Sequence, residues 1–295
     1  MATYHAQPMR ERTGALALVL ALAAVLAAAA FLFTPANAKS SSSSSSSSER
    51  SFENRTPDYD WSWTLAAGKT LHVKGVSGDV RAGRATDGKV HVRAWKYAHR
   101  SDPEKVHVEH IESEDGITVC AVYPGSGYGD PNSCEAGESW HSHTRNNDVE
   151  VYFVVELPKG VKFVCMNTNG DVEAKDLEAS VDAQTVNGSI NITTTDLASA
   201  ETVNGSIEVT VGKSPSSKSQ DLKLRSVNGN IVLHCPSSFS SHVVAETVNG
   251  EIDSDFPLTV TGKFNSRHLR GSIGSGEGDL AMSTVNGNIH LVSAK

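Results

Sequence analysis

Aromatic side chains are scarce in this 295-residue chain, at 6%, and basic residues are fewer than acidic ones, 26 against 34. The net charge of -8 offers phosphates no positive field, which excludes nucleic acid as the main partner. Catalytic signatures are absent as well: the chain has no Gly-x-Ser-x-Gly, no His-Glu-x-x-His and no phosphate loop. No catalytic residue and no cofactor is therefore assigned, and the chain is not expected to be an enzyme. In place of aromatics and helix formers, the second half is rich in Val, Ile, Thr, Ser and Gly, a composition of strands and tight turns.

The N-terminus has the form of an export signal. Arg10 and Arg12 precede an apolar run from Gly14 to Phe33, and Pro35 stands just before the small-residue site Ala36-Asn37-Ala38. Cleavage there removes residues 1–38 and takes the net charge to -9; retention leaves a 20-residue segment long enough to anchor in a bilayer. Residues 39–58 include nine consecutive serines, Ser40 to Ser48, with too little apolar content to order themselves, and are read as a disordered linker.

A repeat dominates the rest. Asn-Gly recurs at Asn169-Gly170, Asn187-Gly188, Asn204-Gly205, Asn228-Gly229, Asn249-Gly250 and Asn286-Gly287, and Val precedes five of the six. Degenerate copies stand at Val76-Ser77-Gly78-Asp79-Val80 and at Leu269-Arg270-Gly271-Ser272-Ile273. Successive glycines from Gly170 onward, Gly271 included, are 18, 17, 24, 21, 21 and 16 residues apart, which suits a solenoid with one coil per repeat.

Asn-Gly is also a hairpin signal, but a two-residue hairpin would set Val203 opposite Ser206 and Thr202 opposite Ile207, mixing apolar and polar residues on both faces. A corner at Asn-Gly instead lets the Val before it and the Ile two residues after Gly both point inward. The residues two after Gly form a β-branched column: Val80, Val172, Ile190, Ile207, Ile231, Ile252, Ile273 and Ile289. Five before Gly stand Cys165, Ala183, Ala200, Leu224, Ala245 and Met282; seven before stand Phe163, Val181, Leu222, Val243 and Leu280. The polar residue directly after Gly faces solvent. Asn and Gly suit such corners because both tolerate positive φ, and stacked Asn side chains can bond to one another. The sequons at Asn187 and Asn204 are by-products of this pattern; Asn54 and Asn191 complete the set.

Residues 59–158 carry alternating strands without a clean repeat and are read as the first coils plus a cap, with the Asn-Gly solenoid proper at 159–295. The last strand, from Gly287 onward, has no evident cover. The longer repeats carry polar inserts, Gly212–Gln220 and Pro236–Ser241, of the kind that leave a solenoid along one edge, often the binding edge.

The four cysteines allow three full pairings. Cys120 and Cys134, flanking a Gly/Pro-rich loop, are the favoured bridge; a Cys165–Cys235 bridge stays open beside the reading of Cys165 as a small buried hydrophobe. His141-Ser-His143, with His107, His110, Glu135, Glu138 and Asp148, has metal-ligand chemistry, but solvated loop histidines are the simpler reading, and no metal site is assigned. Asp171, Glu173, Glu201, Glu246 and Glu251 lie outward on this register and could serve acid–base chemistry only if they converged.

The tandem Gly78-Asp-Val, Asn169-Gly-Asp-Val and Thr-Val-Asn-Gly-Ser-Ile segments, with Leu157-Pro-Lys-Gly-Val before them, resemble the bacterial putative adhesin family of β-strand-repeat proteins, a domain of unknown function. The resemblance covers about residues 60–293. It implies an all-β solenoid in an exported or envelope-associated protein and defines no catalytic residues. The expected function is thus a non-enzymatic envelope or surface scaffold binding glycan or protein partners. A polysaccharide-acting β-helix enzyme is the alternative, marked by a groove of three or more convergent carboxylates. Edge-to-edge self-association is a further expected contact, and a membrane contact is expected only if the N-terminal apolar segment is kept.

Overall fold

The computed structural model describes residues 55–125, 132–138, 142, 144–215, 222–260, 266–276 and 278–294. The export signal, the serine run, His141 and His143 lie outside the described residues. The first part contributes β1 (Tyr59–Trp63), β2 (Thr70–Lys74), β3 (Val80–Arg84), β4 (Val90–Tyr97), β5 (His107–Ser113), β6 (Gly116–Val122) and β7 (Glu150–Leu157). Then follow β8 (Lys162–Met166), β9 (Val172–Leu177), β10 (Val181–Asn187), β11 (Ile190–Thr194), β12 (Ala198–Asn204), β13 (Ile207–Val211), β14 (Leu222–Arg225) and β15 (Ile231–Pro236). The chain closes with β16 (Ser241–Asn249), β17 (Ile252–Ser254), β18 (Thr259–Val260), β19 (His268–Ile273), β20 (Asp279–Asn286) and β21 (Ile289–Ala294). Among the described residues the only helical element is one 3-10 turn, Pro103–Lys105.

The strands form two sheets. The first runs β1-β4-β7-β3-β9-β11-β13-β15-β21-β17 and the second β18-β19-β16-β20-β14-β12-β10-β8-β2-β6-β5. The strand before an Asn-Gly lies in the second sheet and the strand after it in the first, so the two never pair as a hairpin. β10 pairs in parallel with β8 and β12, and β11 with β9 and β13. Ile190, Ile207, Ile231 and Ile289 stand in register across neighbouring strands and are at most 1% exposed. Facing them, Phe163, Val181, Leu222, Leu280 and Val243 form one buried column, and Cys165, Ala183, Ala200, Leu224, Met282 and Ala245 another. This layered interior is where apolar burial, about 25 cal/mol per Å², stabilises the fold.

The valines before Asn do not join that interior. β10 and β12 stay extended as far as Asn187 and Asn204, so inward–outward alternation continues to the corner. The inward slot falls to Thr185, Thr202, Ser226, Thr284 and Thr247, all buried, and the preceding expectation for Val is overturned. Val203, Val227 and Val285 are half-buried on the outer side and Val248 is exposed; Val186 is covered, but from without. Each inward hydroxyl donates to a corner glycine carbonyl of the adjacent strand level, for example Thr202 Oγ1 to Gly188 O at 2.9 Å and Ser226 Oγ to Gly205 O at 2.9 Å. A buried hydroxyl is thereby satisfied, and so is the carbonyl of a corner glycine.

Spatial order departs from chain order at both ends. β2 and β3 sit inside β6 and β7, and β20 and β21 sit inside β16 and β17. The last strand is therefore flanked on both sides, β21 pairing with β15 and β17, and the expectation of an uncovered final strand is corrected. The outermost positions go mostly to antiparallel strands: β5 on β6, β4 and then β1 on β7, and β19 and then β18 on β16. Antiparallel neighbours need only short connections, which makes them convenient covers for the edges of a parallel stack. Leu269 to Ile273 is likewise no corner. It lies within β19, where Ser272 faces His242 and Gly271 faces Val243, because the chain reverses there instead of advancing one level.

Cys120 and Cys134 form a disulfide, while Cys165 and Cys235 are free and buried. The bridge ties the segment after β6 over the outer face of the second sheet, where Lys74, His72 and Thr118 become buried. Lys74 Nζ donates to Glu135 O at 2.6 Å, and Gly137 N donates to Thr118 Oγ1 at 3.0 Å.

Candidate functional site

The Asn-Gly corner is the most repetitive surface, and its polar groups are spent on the fold. Asn187 Nδ2 donates to Asn169 Oδ1, Asn204 to Asn187, Asn228 to Asn204 and Asn249 to Asn286, each at 2.8 Å; Asn286 donates to Asn228 at 2.7 Å. A second ladder runs beside it. Asp171 Oδ1 accepts the Ser189 amide at 2.7 Å, and Asn230 Oδ1 accepts the Asn288 amide at 2.8 Å. The glycines are needed for proximity more than for φ: among those of the corner only Gly78 and Gly170 have positive φ, 110° and 144°. A Cβ on Gly205 would lie 1.9 Å from Gly188 O, and one on Gly229 equally close to Gly205 O. The positive-φ rationale is thus replaced by backbone-to-backbone approach. This corner holds the stack together and presents little to a ligand.

The outward carboxylates do not converge. Glu173 lies on the first sheet, where Arg81 Nε is 3.9 Å away and Lys175 also pairs with it. Glu201 and Glu246 lie on the second sheet, next to Arg225 at 3.6 Å and His268 at 3.1 Å. Asp171 and Glu251 belong to the corner ladder. Asp182, outward on β10, has its carboxyl pushed upward, to about 6; burial is the main cause, with Glu201 and Glu138 adding repulsion. His72 is held below the ordinary imidazole value by burial and then by Lys74. Among the described residues no three metal-ligating side chains cluster, and His107 and His110 stand on β5.

An aromatic group that the sequence reading passed over closes one end of the interior. Tyr59, Trp61 and Trp63 alternate along β1, with ring centroids 5.2 and 5.9 Å apart, and His110 stands 5.1 Å from Trp61 and 5.2 Å from Trp63. All three rings are half-buried against the core. The Tyr-x-Trp-x-Trp alternation was the signal for this edge strand.

The groove that offers unused chemistry lies at the opposite corner, where the chain leaves the first sheet. It has a volume of about 580 Å³ and is open to solvent. Arg84, Thr86, Asp176, Glu178, Thr193, Thr195 and Thr210 line it from the ends of β3, β9, β11 and β13, with Val211 and Gly212 beside them. β9 bulges here: Ala174 faces Ile192 but Leu177 faces Thr194, so one extra residue is accommodated. Within the bulge Asp176 takes φ 55°, one of two non-glycine residues with positive φ among those described. Arg84 Nη1 is 2.8 Å from Glu178 Oε1, and Lys159 Nζ 3.7 Å from Glu178 Oε2. Thr194 is different from its neighbours, since its Oγ1 donates inward to Ala179 O at 2.7 Å. Among the described residues no side-chain hydrogen bond engages the hydroxyls of Thr86, Thr193, Thr195 or Thr210, or the carboxylate of Asp176. Gly212, where the Gly212–Gln220 insert begins, lines this groove, and residues 216–220 of the insert lie outside the described residues.

The fold defines a two-sheet, parallel-stacked strand-repeat protein. Residues 167–292, within the stretch that carries the strand-repeat resemblance, match the family model described as Toastrack DUF4097. No curated protein matches the chain. Among solved structures, a putative cell adhesion protein from Clostridium sporogenes is similar at 12% identity and TM-score 0.43, over 80% of this chain and 99% of that one. A putative adhesin from Bacteroides fragilis is 12% identical, with TM-score 0.33, over 79% and 96% of the two chains. A putative lipid binding protein from Parabacteroides distasonis is 15% identical, with TM-score 0.24, over 82% and 98%. Likeness at this level bears on neither activity nor partner.

Proposed function

We propose that the chain is an exported, non-enzymatic scaffold of the cell envelope or surface, adhesin-like in use. It is organised as export signal (1–38), linker (39–58), first coils and cap (59–158) and a one-coil-per-repeat solenoid (159–295). The groove at the far corner carries this reading: a preformed site on stacked strands, with hydroxyls and a carboxylate that the fold leaves unused. The Cys120–Cys134 bridge agrees with an oxidising compartment. Glycoside hydrolysis needs two carboxyl groups working in concert across the scissile bond. Here Glu178 is engaged by Arg84 and Lys159, which leaves Asp176 as the single unpaired carboxylate of the groove.

The test applies the purified full chain to immobilised glycans and extracellular proteins while monitoring release of reducing ends. Saturable retention without release is expected; sustained release from a polysaccharide would replace this reading with the enzyme.

A further inference from the structure

The residues of the groove also specify what it takes. Arg84 and Lys159 both pair with Glu178, and Asp176 adds a second negative charge, so the groove carries no net positive charge. Sulfated, phosphorylated or uronic-acid ligands would gain no net attraction there. Four threonine hydroxyls, from Thr86, Thr193, Thr195 and Thr210, can each donate and accept, and their methyl groups with Val211 provide apolar contact. A ligand that pairs with them must carry several hydroxyls of its own, spaced a few ångströms apart, with C–H surface between. Thr193 and Thr210 are directly paired across β11 and β13, so their side chains project side by side at the strand spacing, about 4.8 Å.

The second, independent observation is the backbone at Asp176. A left-handed φ costs a non-glycine residue free energy, and glycine would adopt it more readily. The bulge that imposes this conformation sets the carboxylate at the groove, unpaired by any described residue. Aspartate enters this region more readily than most residues, and here the turn brings its carboxylate to the groove.

We infer that this groove is a saccharide site for an uncharged glycan, with Thr193, Thr210 and Asp176 as its recognition groups. The inference rests on the binding-scaffold reading and adds to it the location and the ligand class.

The experiment measures retention of the full chain on immobilised neutral hexose polymers, N-acetylhexosamine polymers and uronic-acid polymers. It compares wild type with Thr193→Val/Thr210→Val, which removes two hydroxyls while keeping β-branched shape, and with Asp176→Gly. Expected is retention on one or both uncharged classes, weakened about tenfold or more by the double variant with its melting temperature unchanged. Asp176→Gly is expected to bind several-fold more weakly while melting no lower than wild type. Wild-type affinity for uncharged glycan in both variants would overturn the site while leaving the scaffold reading intact. Retention on uronic-acid polymer alone would overturn the ligand class. Retention of proteins but of no glycan would overturn this inference and leave a protein-binding scaffold, whereas retention of nothing on either panel would overturn both.

Discussion

The two corners of the stack are opposites in chemistry and in regularity. At the Asn-Gly corner six levels repeat the Asn-Gly pair, and asparagine amides, post-glycine side chains and buried Thr or Ser hydroxyls bond to the neighbouring level. At the other corner the levels differ in length, one carries a bulge, and threonine hydroxyls face open solvent. The contrast teaches that repetition here records the demands of stacking, whereas departure from repetition is where the surface becomes free for another molecule.

The severest way to probe that contrast is to add one methyl group at the repetitive corner. Gly205→Ala would set a Cβ about 1.9 Å from Gly188 O, a backbone atom that cannot yield without separating two levels. A loss of about 3 kcal/mol or more, or failure to fold, is expected in denaturant titration. Alanine at Gly212, by the far corner, would also crowd Thr195, with contacts of 2.7 Å, so a fair comparison uses Thr210→Val there; an effect below about 0.5 kcal/mol is expected.

Next in size is a pair that separates inward from outward residues. Ile207→Thr, at 1% exposure, should cost about 2 kcal/mol, while Val203→Thr should stay within about 0.5 kcal/mol because Val203 lies on the outer side. Equal losses, measured by thermal or urea unfolding, would restore the reading in which both share one interior.

Asp182 tests whether charge away from both corners matters. Its carboxyl is raised to about 6, so the folded chain keeps this proton to higher pH than the unfolded chain does. This group's contribution is therefore most favourable below about pH 4 and is lost as pH rises toward 6. Asp182→Asn should raise the unfolding free energy at pH 7.5 by about 1–2 kcal/mol, measured by urea unfolding, and leave it unchanged near pH 4. His72 works in the other direction: its lowered value means that stability falls as pH drops below about 6.5. Stability rising with pH across this range in Asp182→Asn and falling in His72→Gln, each relative to wild type, would confirm both signs.

The smallest effect belongs to the asparagine ladder. Asn204→Ala removes its bonds to Asn187 and Asn228, both solvent-exposed, and should cost about 1 kcal/mol. A loss as large as that of Gly205→Ala would show that the ladder, and not glycine's close approach, sets the corner.

Much of the architecture was legible because a column of identical residue types is a direct imprint of strands lying in register. Ile190, Ile207, Ile231 and Ile289 announced one inward column, and Cys165, Ala183, Ala200 and Leu224 another. The valines misled for a physical reason: their hydrophobicity argued for burial, but the strand runs on to Asn, and alternation gives the interior to a threonine whose hydroxyl can be satisfied there. Of the groove, only the insert at Gly212 drew notice in the chain. Arg84 and Asp176 could not be associated, since nothing local ties two residues 92 positions apart.

By itself the sequence determined an all-β chain whose strands around each Asn-Gly present inward columns, because period and side-chain type recur together. Tertiary structure alone decided the order of the levels at the two ends and the meeting of Arg84, Asp176, Thr193 and Thr210 in one groove. Both depend on which strand edges find each other in space, and a hydrogen-bonded backbone edge carries no residue-specific mark for a linear sequence to reveal.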